Sequence, residues 1–149
     1  MRRVAGSMFI VTLVISGFAA VGSSQTAGVQ GTDVGWGTVD SDYTIKGGRG
    51  TDVVVERLTI EPGASVPWHT HPGPDIGIVM AGTMTVVHGD DPECGRREYR
   101  KGQAYLDTGD LHTVRNLGKE RLEILVTFFN VPAGGSVIEP AERPSHCRE

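Results

Sequence analysis

The sequence predicts a small all-β domain, a sandwich or barrel of about eight strands, preceded by an export signal. Glycine accounts for 21 of the 149 residues, about twice its usual share, and interrupts the chain every few residues without forming a repeat. No uninterrupted ten-residue window places apolar residues at helical spacing. Many short segments are instead rich in Val, Ile, Thr, Tyr and Phe, which favour strands. Short strands at even spacing in one small domain are typical of β-sandwiches and β-barrels.

Residues 1–22 have the layout of a secretory signal peptide. Arg2 and Arg3 precede an uncharged run at residues 8–21, and the small residues Ala20 and Gly22 suit a cleavage site. An uncleaved signal anchor is the less favoured alternative, because the run is shorter than the roughly 20 residues that span a bilayer. We therefore expect an exported protein, periplasmic or extracellular, with no stable membrane anchor.

Composition limits the number of domains and the kinds of partner. Removal of the signal leaves about 127 residues, the size of one domain, and lowers the formal charge from −4 to −6. A negative charge disfavours nucleic acid and anionic membranes, so we expect a small-molecule partner. A homodimer stays an open alternative. The two cysteines, Cys94 and Cys147, are expected to pair in an oxidising compartment, with two free thiols as the alternative.

Turn residues divide the exported chain into three parts. Residues 23–50 are rich in Gly, Ser and Thr and predict a loose lead-in with one short strand at residues 43–45. The barrel is predicted over residues 51–131, and a C-terminal tail without a regular pattern over residues 132–149. Predicted barrel strands cover residues 52–60, 66–71, 76–80, 83–87, 97–100, 103–106, 111–114 and 121–130.

Two short connections have specific turn chemistry. Pro62 presets one φ and Gly63 tolerates the next, so the sequence stops the first strand in a tight turn. Ala81 and Gly82 form a two-residue connection in which the glycine can take a positive φ. This connection predicts a hairpin between residues 76–80 and 83–87.

A metal site is predicted around His69 and His71. In an extended strand, residues two apart project from the same face, so their imidazoles can converge on one ion. Asp75 follows four residues later, and His112 lies further along the chain. Three imidazoles and one carboxylate suit one divalent first-row metal such as manganese, iron, nickel or zinc, whereas calcium prefers an oxygen-rich site. Asp75 has three open roles: direct ligand, ligand through water, or a group that orients a histidine.

The spacing of this segment resembles the first motif of the cupin superfamily. Gly63 is followed after five residues by His69-Thr70-His71, after three more by Asp75, and after six more by Gly82. Every interval of the motif is kept. Aspartate stands where the family usually has glutamate.

A second cupin motif follows at the expected distance. Gly102, Gly109, His112 and Asn116 match it, although Asp107 stands where proline is usual and one residue is missing after Gly102. Two motifs in this order resemble a small single-domain cupin. The resemblance implies a jelly-roll (double-stranded β-helix) barrel, with structural roles for the glycines and for Asn116. It also implies four metal positions, which are His69, His71, Asp75 and His112.

The function that follows from the resemblance is an exported metal-binding cupin acting on a small molecule. The leading hypothesis is a metalloenzyme of the oxygenase or oxidase type. A non-catalytic metal- or ligand-binding cupin and a metal-dependent isomerase or lyase are the alternatives. No catalytic acid or base is assigned, because Glu56, Asp107 and Asp110 are each compatible with a surface position. Trp68, which alternates away from His69, is expected in packing or at a pocket rim.

Overall fold

The glycine-punctuated sequence forms nine β-strands in a computed structural model that describes residues 29–148. The chain divides into two units, residues 1–32 and 33–149, and the described residues 29–32 of the first unit form no strand. The predicted signal peptide at residues 1–22 lies outside the described residues. Within residues 29–148 no helix is long and apolar enough to cross a membrane. The strands are β1 (Thr51–Ile60), β2 (Ser65–Thr70), β3 (Asp75–Ala81), β4 (Thr83–His88), β5 (Arg96–Arg100), β6 (Ala104–Asp107), β7 (His112–Arg115), β8 (Leu122–Pro132) and β9 (Glu139–Pro140).

The strands form two antiparallel sheets, so the all-β prediction is confirmed. One sheet has the order β1-β8-β3-β6, and the other has the order β5-β4-β7-β2-β9. Alternation along β8 buries every second side chain over most of its length, as expected for a sheet with one face on the core. Both sheets contribute to one apolar core, whose most buried members are Val79, Met84, Val86, Leu122, Ile124 and Val131.

The predicted hairpin around Ala81 and Gly82 is wrong. β3 pairs with β6 and β8, whereas β4 pairs with β5 and β7 in the other sheet. Gly82 has a φ of 75°, and a Cβ there would lie 2.8 Å from the carbonyl oxygen of Arg121. Glycine therefore lets the chain turn closely past its neighbour from one sheet into the other. The dipeptide Ala81-Gly82 is compatible with a hairpin or with a corner between two sheets. The long-range pairing of the strands determines which of the two forms.

The described part of the lead-in lacks the predicted strand, and hydrogen bonds at other positions attach it to the domain. No strand forms at residues 43–45, and Thr38 makes a single parallel bridge to Gln103 instead. Further along, the Asn130 side chain accepts a hydrogen bond from the backbone N–H of Gly48 and donates one to the carbonyl of Lys46. Backbone and amide bonds at a few points thus replace the expected strand.

The C-terminal segment packs onto the domain beyond the last predicted strand. β9 pairs with the outer edge of β2, placing Pro140 opposite His69 and Glu139 opposite Thr70. Cys147 forms the predicted disulfide with Cys94, with their Cα atoms 5.4 Å apart. A two-residue strand has too little pattern to be predicted from sequence, because its partner and not its composition determines it.

The first prediction concerns Asn116, which is fully buried beyond the end of β7. Its amide donates to the carbonyls of Ile60 and Glu120 and accepts from the Gly118 N–H. Asn116→Ala leaves a buried carbonyl without a partner, so we expect the free energy of unfolding to fall by about 2 kcal/mol. Chemical denaturation measures the loss, and the metal content per folded molecule should not change. Stability equal to that of the unaltered protein would show that these bonds contribute nothing.

The second prediction concerns the disulfide, which closes a separation of 53 residues. In the chain-entropy model such a cross-link stabilises the folded state by up to about 4 kcal/mol. Mass spectrometry after alkylation should find no free thiol in the native protein and two after reduction. Unfolding with and without reductant measures the stabilisation. Two alkylated thiols in unreduced exported protein would contradict the pairing.

Candidate metal centre

Three histidines predicted as ligands meet between the two sheets. β2 and β7 are neighbours, and their register places His69 directly opposite His112. His71 follows the end of β2, on the same face as His69. The ring centroids lie 4.4 to 5.3 Å apart, and one nitrogen of each ring lies within 4.8 Å of the other two. All three side chains are almost completely buried.

Backbone carbonyls determine which nitrogen of each ring is free. Every one of the three Nδ1 atoms lies at hydrogen-bond distance from a carbonyl oxygen, which can only accept. Each Nδ1 therefore carries the proton, and in the neutral ring Nε2 keeps its lone pair. The pairs are His69 with Pro67 at 2.6 Å, His71 with Val137 at 2.5 Å and His112 with Asp110 at 2.8 Å.

Burial keeps the imidazoles in the form that binds metals. Desolvation lowers the pKa of His69 to about 4, although the Pro67 carbonyl opposes it. It also lowers the pKa of His71 below its ordinary value, against the opposing effect of the Val137 carbonyl. Both rings are consequently neutral at pH 7. A neutral imidazole is the state in which histidine coordinates a metal.

Asp75 adjoins the histidines from the opposite sheet. Its Oδ2 lies 3.4 Å from Nε2 of His71 and has no hydrogen-bond partner within residues 29–148. Burial, followed by the negative charge of Asp107, raises the pKa of Asp75 to about 8. A carboxylate oxygen and a nitrogen lone pair in contact repel each other unless a cation or a proton lies between them. Two atoms bonded to one ion at about 2.1 Å are separated by roughly 3 to 3.4 Å, so this pair fits a shared metal.

Asp107 is a site residue that the sequence did not identify. The registers of β3 and β6 place it directly opposite Asp75, and it is only 1% exposed. Its carboxylate accepts bonds from the Tyr105 hydroxyl at 3.2 Å and from the Gly109 N–H at 3.0 Å, and it lies 3.8 Å from His112 Nδ1. Glu56 is exposed but lines the pocket beside the histidines, and Asp110 is exposed outside that lining. For Asp107 a surface position is wrong, and its one sequence signal was that it replaces the usual proline.

The ligand atoms fall into two overlapping groups. His69, His71 and His112 form one, and His71, Asp75 and Asp107 form the other. The structure therefore brings the three histidines together and attaches Asp75 through His71 rather than to all three. Direct coordination by Asp75 stays a prediction. His88, half-buried on β4, belongs to neither group, and His146, exposed in the tail, lies instead beside the disulfide-bonded Cys94 and Cys147.

The space beside the histidines is small and mostly apolar. Its volume is about 70 Å³, well below the roughly 300 to 1,000 Å³ of most small-molecule sites. Phe128 packs at 5.1 Å from His71, measured between ring centroids, and Ile138 closes the pocket from the C-terminal segment. The tail, predicted to lack regular structure, thus supplies both a wall of the pocket and the carbonyl that binds His71. The remaining apolar lining comes from Leu58, Val66, Met84, Val114, Ile124 and Val126.

Comparisons with known proteins agree with this architecture. A germin-like protein from Morus alba is 28% identical over 107 residues, which cover 70% of this chain and 51% of that protein. The chain therefore spans about half the length of that relative. The crystal structure of an uncharacterized Klebsiella pneumoniae protein with a double-stranded β-helix domain matches with a TM-score of 0.50 and 23% identity, over 60% of this chain and 76% of that one. This similarity shows the fold.

Two further comparisons concern the family and a second structure. A recombinant oxalate oxidase in complex with glycolate matches with a TM-score of 0.46 and 29% identity, over 53% of this chain and 42% of that one. Residues 56–128 match the family described as the cupin domain. That range holds both motifs, all three histidines and both aspartates of the site. The chain therefore belongs to the cupin superfamily.

Proposed function

We propose that this protein is an exported metal-binding cupin, and that it is a metalloenzyme of the oxygenase or oxidase type acting on a small molecule. The observation that carries the proposal is the convergence of three imidazoles whose Nδ1 atoms all lie at hydrogen-bond distance from backbone carbonyls. Holding a proton on each Nδ1 directs three Nε2 lone pairs into one small space. Such an arrangement favours a divalent cation over any neutral occupant.

His69, His71 and His112 would hold the metal, with Asp75 as a fourth ligand from the opposite sheet. A manganese, iron, nickel or zinc ion supplies Lewis acidity at this position, and manganese or iron also supplies redox chemistry. Within residues 29–148, Oδ2 of Asp75 has no hydrogen-bond partner, and its pKa of about 8 leaves a proton on the carboxyl at pH 7 when no cation is bound. A bound ion would replace that proton between Oδ2 and His71, which supports the role of Asp75 as a ligand. One carboxylate lowers the net charge of the site by one, which makes the ion less electrophilic than three histidines alone would leave it.

The residues around the site limit the substrate to a small molecule, and Tyr105 holds a proton beside it. The apolar walls exclude bulk water, which strengthens every electrostatic interaction within the pocket. Tyr105 lines this pocket, and its hydroxyl donates to Asp107. Burial raises the pKa of Tyr105 far above its ordinary value, so the phenol keeps its proton at neutral pH. A volume of about 70 Å³ limits the substrate to few non-hydrogen atoms.

Export is supported by the disulfide and by the layout of the first 22 residues. Structural disulfides persist in oxidising compartments and are rare in the cytosol. Cys94 and Cys147 are the two cysteines of the chain, and both are used in the bond. A periplasmic or extracellular location accounts for this pairing.

The third prediction tests the metal and the reaction class together. Elemental analysis of the protein purified from its exported fraction should find close to one transition-metal ion per chain. Iron or manganese, with oxygen uptake on a panel of very small organic molecules, is the expected result. His69→Ala, His71→Ala and His112→Ala should each lose most of the metal, because two imidazoles lack the geometry to hold it. The matched control is His146→Ala, which removes an exposed histidine outside the site.

Two results would contradict different parts of that proposal. Wild-type metal content in all three histidine variants would place the metal elsewhere. A protein isolated without metal, and unable to take any up, would instead favour the ligand-binding cupin. Stoichiometric zinc or nickel without oxygen uptake would favour the isomerase or lyase.

The fourth prediction separates the roles of Asp75. If its carboxylate is a direct ligand, Asp75→Ala should weaken metal affinity by about tenfold or more, within the range for loss of a supporting group. Asp75→Glu should retain binding, because the longer side chain still reaches the ion. Competition with a coloured chelator measures both constants. Asp42→Ala, an exposed aspartate in the lead-in, controls for the change in net charge. Unchanged affinity in Asp75→Ala would leave a three-histidine site.

A further inference from the structure

Four of the eleven arginines of this acidic chain line one groove on the outer face of the five-stranded sheet. Arg96 belongs to β5 and Arg115 to β7, while Arg143 and Arg148 come from the C-terminal segment. The groove has a volume of about 390 Å³, which lies within the range of small-molecule sites, roughly 300 to 1,000 Å³. It shares no lining residue with the pocket of the metal centre.

Strand register explains how the sheet contributes its half of the groove. Val87 pairs with Arg96 on one side and with Thr113 on the other, so these residues form one row across the sheet. Arg115 lies two residues beyond Thr113 and therefore on the same face. Its cross-strand partner Ser65 also lines the groove. Side chains of four adjacent strands, β5, β4, β7 and β2, therefore line one concavity, which is more than a chance meeting of long surface side chains.

The disulfide places the second half of the groove. Cys94 precedes Arg96 by two residues, and Cys147 is adjacent to Arg148. The bond therefore ties the end of the chain to the sheet edge at which the arginines lie. Trp68 lines the same groove, in agreement with a position at a pocket rim.

Three of the four arginines of the groove have no carboxylate partner in the part of the chain that the structure describes. Arg96, Arg115 and Arg148 form no ion pair with any carboxylate of residues 29–148. Elsewhere on the surface, Arg57 and Arg121 pair with Glu123, and Arg100 pairs with Glu98. Like charges held together repel one another, and a bound anion relieves that repulsion.

We propose that this groove binds a small molecule carrying two or more oxyanion groups, whether carboxylate, sulfate or phosphate. Planar guanidinium groups match such oxyanions through paired charge-assisted hydrogen bonds, and several arginines around one cavity favour more than one anionic group. A small ligand fits better than a long polyanion, because the net charge of −4 disfavours extended contact with the rest of the surface. The site is separate from the metal centre and does not depend on the proposed reaction.

Calorimetric titration of the full exported protein tests the proposal with two probes, pyrophosphate and citrate. We expect one binding site per chain for at least one probe, with affinity that falls as salt rises. Acetate and chloride at equal ionic strength should not bind comparably. Arg96→Ala and Arg115→Ala should each weaken binding by about tenfold, the effect of losing a charge-assisted hydrogen bond. Arg100→Ala is the matched control, since it removes the same charge from the same strand as Arg96 and should change affinity by less than about twofold.

A double substitution, Cys94→Ser with Cys147→Ser, tests the contribution of the tail. Binding should weaken several-fold while metal content, measured on the same samples, stays at the wild-type value. The site is wrong if neither probe binds more tightly than acetate, or if the two groove variants behave like Arg100→Ala. Binding of heparin alone, with no response to either small probe, would also overturn it.

Discussion

Three hydrogen bonds from imidazole nitrogens to backbone carbonyls are the constraint on which the functional architecture depends. Each carbonyl belongs to a different part of the chain, namely β2, the turn before β7 and the C-terminal segment. None of these bonds is part of a strand ladder, yet each fixes the tautomer and the orientation of one ring. The barrel must therefore be complete, tail included, before the three Nε2 atoms point into the same space.

The paired aspartates distinguish a functional site from a merely stable core. Asp75 and Asp107 lie directly opposite each other on adjacent strands, and both are buried. Two charged carboxylates in this arrangement would oppose folding, and the raised pKa of Asp75 relieves that repulsion because the carboxyl keeps a proton at pH 7 when no cation is bound. Tyr105 and the Gly109 N–H compensate Asp107, whereas Oδ2 of Asp75 is left facing His71. Asp75 is therefore the carboxyl of this pair that needs either its own proton or a bound cation beside His71.

The local sequence pattern was sufficient to predict the strands and the histidines of the site. It was insufficient to predict contacts between segments that are distant in the sequence. Eight strands and the convergence of His69 with His71 follow from residue type and a period of two. The position of Asp107 depends on the pairing of β3 with β6, and the support of His71 depends on a carbonyl 66 residues away. The failed hairpin at Gly82 has the same origin. Sequence periodicity indicates which residues extend, but not which strands become neighbours.

The short strand β7 shows how one element serves two faces of the barrel. His112 and Val114 line the metal pocket, and the alternating residues Thr113 and Arg115 line the arginine groove. The C-terminal segment also reaches both faces, since Val137 binds His71 and the region near Cys147 closes the groove. Because side chains alternate along a pleated strand, β7 places a candidate metal-binding side chain on one face and a cationic side chain on the other. The candidate metal-binding imidazoles thus lie inside the barrel and the arginines outside it, because burial disfavours charged side chains and solvent tolerates them.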